Sequence, residues 1–368
     1  MPAPLDVGAL RSVLHRLDRA RPLPAAAFHA PDVLAWEREE IFFRDWLCVG
    51  REDEVAAPGA FVLARIFGEE LIVIRGPDLR LRALFNVCRH RGSTLVTAPS
   101  GRVDALRCPY HGYTYDLTGR LQRSGPGVAL ASARVTAWGG FVFVSLLEDP
   151  EPLVVALGEI PRAIARLELG LLALAYRSEH EVHANWKLCV ENFQESHHFP
   201  LVHPALEELT PSSRASSKLG EGPWLGGVMT LRGDVETVSL DGRRHGRPAL
   251  PGATEEDQRR VHDFFLWPNA LFSAQPDYLL CYRLWPLAPD RTRIVFEVLV
   301  HPETLQRPAD ELEPVRQFWV RVNAEDRAIC ERQQIGTASR VYRPLGYEPV
   351  EDGVHAFDAM IARRYLQT

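Results

Sequence analysis

The sequence predicts an α+β protein: a small antiparallel β unit, then a larger strand-and-helix unit with a long helix near its end. Three observations carry this. Between about residues 49 and 150, short apolar runs (FVLARIF, LIVIRG, LRALFNV, FVFVSLL) are separated by Gly, Pro and Asp, the texture of a small antiparallel β domain. Pro150 to Pro152 then marks a boundary. Beyond it, 151–368 mixes helices with strands and holds one long helical stretch over 309–335. A length of 368 residues accommodates two or three such units.

From the N-terminus, Leu10, Val13, Leu14 and Leu17 recur at helical spacing and predict a helix over 8–20. A Pro/Ala linker follows at Pro22 to Ala27, then an aromatic-rich helix over 32–47. After the β unit, 153–167 and 185–199 are predicted to be helical. LLCYRLWPL and TRIVFEVLV are expected to pair as strands across the turn Ala288-Pro289-Asp290-Arg291. No internal repeat or low-complexity tract interrupts this order.

Hydrophobic residues make up 46% of the chain and charged residues 24%, an ordinary soluble balance. Such a chain buries a core without staples, so a metal site is expected to serve chemistry. The net charge of −6 argues against nucleic acid as the main partner. The N-terminal stretch lacks a signal-peptide pattern and the apolar runs are too short to span a bilayer, so no membrane partner and a cytoplasmic location are expected. Six sparse, irregularly spaced cysteines exclude a disulfide framework.

Only Cys88 and Cys108 have histidines at ligand spacing. NVCRHRGSTL carries Cys88 and His90, and CPYHGYTYDLTGRL carries Cys108 and His111. Each tight loop offers one thiolate and one imidazole. Zinc accepts two Cys and two His, and a Rieske [2Fe–2S] cluster takes two Cys on one iron and two His on the other. The spacing does not fit common zinc fingers, and strand-like YTYDL follows where a finger has a helix. Gly92 and Gly112 come just after the histidines, where backbone amides must approach sulfur.

A second constellation lies in HANWKLCVENFQESHHFPLVHP. On a helix, Glu191, Glu195 and His198 would share one face, with Pro200 ending the helix and His203 folding back beside His198. Two imidazoles and one carboxylate make the facial triad of non-haem Fe(II) oxygenases, which leaves one side of the metal open. Asn192 could tune such a site or cap backbone groups.

Both stretches resemble the α subunits of Rieske non-haem iron oxygenases, most closely the glycine-betaine and stachydrine demethylase type. The likeness covers nearly the whole chain and is strongest at 82–120 and 184–204. It implies a Rieske domain over 41–150 and a helix-grip (START-like) catalytic domain with a curved antiparallel sheet over 151–368, with 1–40 as the helical N-terminal part of the latter. It implies that Cys88 and Cys108 hold one cluster iron and His90 and His111 the other. It further implies that His198, His203 and Asp326 (in NAEDRAICERQQ, preferred over Glu325) bind a mononuclear Fe(II). Glu195 takes the place of the acid that bridges to a neighbouring subunit's His111 in a homotrimer. His197 departs from the tyrosine usual there. The implied activity uses O2, a small-molecule substrate and electrons from a reductase or ferredoxin, with Arg89, Arg91, Arg102 and Arg107 as a docking face. N-demethylation of a quaternary or tertiary amine is the first expectation. Aromatic ring dihydroxylation and a non-enzymatic zinc-bearing module are the alternatives. An aromatic cage for an ammonium group would draw on Phe264, Phe265, Trp267, Phe272, Tyr278 and Tyr282.

Overall fold

The computed structural model describes residues 3–122, 127–219 and 224–367. The chain divides into two compact units, Arg38–Val155 and the remainder, Met1–Glu37 with Ala156–Thr368.

The smaller unit is antiparallel β. Its strands are β1 (Leu47–Arg51), β2 (Ala60–Ile66), β3 (Glu69–Arg75), β4 (Leu81–Phe85), β5 (Ser100–Arg102), β6 (Leu106–Arg107), β7 (Thr114–Tyr115), β8 (Ser132–Trp138) and β9 (Phe141–Ser145). Among the described residues they form one sheet ordered β1-β9-β8-β4-β3-β2-β5 and a separate β6–β7 hairpin. Leu63, Ile72, Ile74, Leu84 and Leu106 build the core under the loops that carry Cys88 and Cys108.

The larger unit contains β10 (Ala173–Val182), β11 (Ser216–Leu219), β12 (Trp224–Thr230), β13 (Arg260–Leu266), β14 (Ala270–Ala274), β15 (Tyr278–Ala288) and β16 (Arg291–Val300). They pair antiparallel in the order β10-β16-β15-β14-β13-β12-β11. The expected pair is β15 with β16, where Cys281 lies opposite Glu297 and the chain turns at Pro289–Asp290. The long helix Glu313–Thr337 packs Val315, Phe318, Trp319 and Val322 onto this sheet. Buried Glu37 accepts from Lys187 Nζ at 2.5 Å, Trp186 Nε1 at 2.9 Å and the Tyr365 hydroxyl at 2.9 Å, tying three distant segments together.

Several helices are shorter than the periodicity predicts. The first runs only Val7–Val13, because Leu14 faces solvent and the buried stripe ends with Leu10 and Val13. The second is α-helical over Pro31–Glu37, widens to a π turn at Arg38–Phe42, and gives way to β1. The stretch 153–167 splits at Gly158, whose φ of 56° no helix continues. The late helix is a 3-10 turn over Ala309–Leu312 and then Glu313–Thr337, with Pro314 in its first turn. The expected helix over 185–199 is corrected most consequentially. It spans Trp186–Phe193, capped by Asn185, whose side chain accepts from Lys187 N. Pro200 would clash one turn back with the carbonyl of residue 196, so it begins the short helix Phe199–Val202 rather than ending the longer one.

Candidate metal centres and active-site cavity

The loops holding Cys88 and Cys108 are near copies of each other. In the first, Cys88 N donates to Ser93 O and Gly92 N to Cys88 O; in the second, Cys108 N donates to Tyr113 O and Gly112 N to Cys108 O. Gly92 and Gly112 have φ of 75° and 71°, left-handed values that favour glycine and let each loop close in five residues. The two thiols are buried and hydrogen-bond to each other, whereas His90 and His111 are exposed with ring centroids 4.7 Å apart. The Tyr115 hydroxyl lies 3.4 Å from Cys88 Sγ and accepts from Arg89 N at 3.0 Å. Burial opposes the charged form of Cys108, but the amides of Tyr110 and His111 and the neighbouring Cys88 thiol outweigh it and lower its pKa. Tyr113 stacks on His90 at 4.6 Å and Tyr110 on His111 at 3.9 Å. Paired sulfurs inside and paired imidazoles outside suit a two-iron cluster with a different ligand type on each iron.

In the larger unit, His198, His203 and Asp326 bring three ligand atoms within 4.8 Å of one another, the only such group among the described residues. The helix ending at Phe193 creates the second site. Glu195 and His198 sit in the turn after it, and Glu195 folds onto its own turn: His198 N donates to Oε2 at 3.1 Å, and His198 Nδ1 lies 2.5 Å from Oε1. His203 Nδ1 is held by Glu325 Oε2 at 2.8 Å, and Glu325 by Arg321 Nε at 2.8 Å. The opposite nitrogens converge on Asp326 Oδ1, His203 Nε2 at 2.8 Å and His198 Nε2 at 3.6 Å.

The electrostatics point the same way. Burial disfavours imidazolium at His198, yet hydrogen bonds to Asp326 and Glu195 push its pKa up to about 9. His203 is raised against its own burial by Asp326 and Glu325, and the imidazoles in turn lower Asp326 despite its burial. The field that holds protons at these nitrogens favours a divalent cation between them, and the metal would displace those protons on binding. A carboxylate on the far nitrogen of each imidazole fixes its tautomer and orientation. The donor set thus fits a ferrous ion with open positions.

These groups border a cavity of about 440 Å³. The long helix lines it with Trp319, Val322, Asn323, Asp326, Arg327 and Cys330, spaced along one face. Asn192 also lines it, and Tyr282 donates to Asn323 Oδ1 at 3.0 Å. Glu191, expected on the same face as Glu195 and His198, is instead buried against Asp358. Of the six aromatics offered for a cage, Phe264 and Tyr282 line the cavity. Phe265 and Trp267 pack with Trp186 and Phe357, Phe272 is fully buried, and Tyr278 donates to Val238 O in the core. Phe193, Phe199 and Trp319 line the cavity in addition. His197 is exposed, as are Arg89, Arg91, Arg102 and Arg107.

Residues 45–133 match the Rieske [2Fe-2S] domain and 169–367 the catalytic domain of the ring hydroxylating alpha subunit. The glycine betaine monooxygenase oxygenase subunit of Chromohalobacter salexigens is 30% identical over 93% of this chain and 86% of its own. The chain belongs to the Rieske oxygenase α-subunit family. The carnitine monooxygenase oxygenase subunit of Acinetobacter pittii is 26% identical, over 89% of this oxygenase and 88% of its own length. In fold, the oxygenase resembles a crystal structure of a quaternary ammonium Rieske monooxygenase in complex with L-carnitine (TM-score 0.81, 23% identity, 98% and 99% covered). The family's cofactors are a Rieske [2Fe–2S] cluster and a mononuclear iron, and its α subunits form oligomers and draw electrons from a reductase or ferredoxin. No helix among the described residues is long and apolar enough to cross a membrane.

Proposed function

We propose that this oxygenase is the terminal component of a multicomponent system that hydroxylates an N-methyl carbon of a small quaternary or tertiary amine. One oxygen atom of O2 enters the C–H bond, and the other leaves as water with two electrons and two protons. The hydroxymethylammonium product then loses formaldehyde and a proton, leaving the demethylated amine. The observation that carries this reading is the convergence of His198, His203 and Asp326 at the wall of the cavity, in a chain 30% identical to a glycine betaine monooxygenase subunit.

Bound by His198, His203 and Asp326, iron would supply dioxygen activation, with the cluster held by Cys88, Cys108, His90 and His111 as the source of the second electron. Glu195 and Glu325 keep the imidazole Nε2 atoms aimed at one point and accept the Nδ1 protons. Asn192 and Asn323 offer amides beside that point without occupying it. Apolar walls from Phe199, Val322 and Leu280 keep water from the reacting carbon. The exposed imidazoles His90 and His111 are the natural exit for an electron, since the sulfurs are enclosed. We assign Glu195 a second role as the bridge from His198 to a neighbouring subunit's His111 in a homotrimer, a head-to-tail contact that a closed ring provides. The arginines around the cluster loops would receive an acidic donor protein.

Iron-loaded protein with a compatible reductase should consume NADH and O2 only with a methylated ammonium present, and release one formaldehyde per NADH. Diol formation from aryl carboxylates without formaldehyde would replace this reading with ring dihydroxylation.

A further inference from the structure

Asp263 lines the cavity and, like Arg327 and Asp352, is a charged group that the chemistry above leaves unused. It lies on β13 opposite Gly227 of β12 and Ser273 of β14, so the three share one face of the sheet, and all three line the cavity. The Ser273 hydroxyl is its hydrogen-bond partner, and that hydroxyl is itself fixed by Gln275 Nε2 at 2.8 Å. Burial pushes the Asp263 carboxyl up to about 7, and the Ser273 bond only partly offsets it.

Several other enclosed carboxylates of this unit face a cation, although Glu191 and Asp358 face each other. Glu297 meets Arg283 and Arg177, Asp277 meets Arg247, Asp257 meets Arg166, and Glu37 meets Lys187. Among the described residues, no cation lies within ion-pair distance of Asp263. A half-buried carboxylate on a cavity wall with no counter-ion is stabilised when a ligand brings the opposite charge.

The surroundings favour a cation without N–H groups. Tyr282 adds ring surface on the same face, two residues beyond Leu280, which pairs with Ser273. Gly227 keeps the space free: a methyl there would sit only in ordinary contact, 4.0 Å from Asp263 Cβ and 3.8 Å from Ser216 O. Burial raises the Tyr282 phenol, with Asp326 and Asp263 adding to the effect. An ammonium held at Asp263 would lie on the sheet face that also carries Ser273, Leu280 and Tyr282.

Resting on the amine reading above, we infer that Asp263 is the counter-ion for the substrate's quaternary ammonium group and sets the preference for a cationic headgroup.

The test compares glycine betaine with 3,3-dimethylbutanoate, in which carbon replaces the charged nitrogen at equal shape. Kd is read by calorimetry on anaerobic protein, and KM and kcat by formaldehyde release. Wild type should bind the ammonium compound more tightly than the isostere. Asp263→Asn keeps the size and the Ser273 bond; it should weaken ammonium binding at least about thirty-fold, leave isostere binding within about two-fold, and so collapse the preference. Gly227→Ala, a separate check on folding-competent protein, should raise KM for trimethylammonium with kcat little changed. Unaltered ammonium affinity in both variants overturns the inference while the amine reading stands. Failure of the wild type to bind or demethylate any ammonium compound overturns both.

Discussion

The two donor sets are assembled by different means. Cys88, His90, Cys108 and His111 sit in two loops that repeat the same backbone hydrogen bonds around a positive-φ glycine. The main chain itself fixes the donors, and side-chain neighbours such as Tyr113 and Tyr110 only stack against them. His203 and Asp326 are 123 positions apart and meet only because the long helix packs across the sheet. There the aim of each imidazole depends on a side-chain carboxylate. The first set is a local motif that tolerates change elsewhere; the second is a tertiary arrangement adjustable one residue at a time.

The sharpest break between them is His198→Ala. Turnover should be lost while the visible absorption of the cluster persists, because among the described residues no hydrogen bond of the cluster loops involves His198. Oxygenation that survives this change would remove His198 from the centre. Glu195→Gln should act next most strongly. Both metals remain bound, and electron delivery to the catalytic iron slows about ten- to a hundred-fold, measured in single turnover of pre-reduced protein. Unchanged single-turnover rates would sink the bridge and leave Glu195 as an orienting group alone.

The same contrast explains what the sequence disclosed. The cluster loops were legible because ligands, glycines and flanking strands all fall within one short window. The β15–β16 pair was legible for a similar reason, two alternating runs around a Pro-Asp turn. Asp326 could be placed only through the family pattern, since neighbouring carboxylates on a helix look alike until the helix is docked; Glu325 then proves to hold the other nitrogen of His203. The helix over 185–199 misled because Glu191, Glu195 and His198 fall at helical spacing across its true end at Phe193, while the proline clash acts before the proline is reached. Most cage candidates failed because β13 to β15 are buried on both faces, so aromatic content does not report which face meets the cavity. The signal for Asp263 was present: a lone carboxylate in the strand run RVHDFFLW beside a Gly-Gly strand.

Glu325→Gln tests how finely the second set is tuned. Gln can still accept from His203 Nδ1, so the geometry survives and the loss is electrostatic. Iron affinity should fall about ten-fold, seen by anaerobic iron titration, while cluster content stays constant. A change in cluster content instead would mean that the two sets are not independently built.

The mildest expected effect lies in the sheet supporting the cavity. Glu297 is fully buried and takes both Arg283 nitrogens, at 2.7 and 2.9 Å, with Arg177 Nε at 2.7 Å. Burial alone would raise its pKa, but the two guanidinium groups reverse this and hold it below the ordinary carboxylate value of 4.5. A carboxylate lowered on folding contributes stability that is fully present above its unfolded pKa and is lost as pH falls through the folded one. Glu297→Gln should therefore cost on the order of 2 kcal/mol at pH 7 with cluster absorption intact, and the gap in melting temperature between variant and wild type should narrow as pH drops below 4.5. A gap that stays constant on acidification would show that the ion pairs do not stabilise the sheet and that Arg283 and Arg177 are held by packing alone.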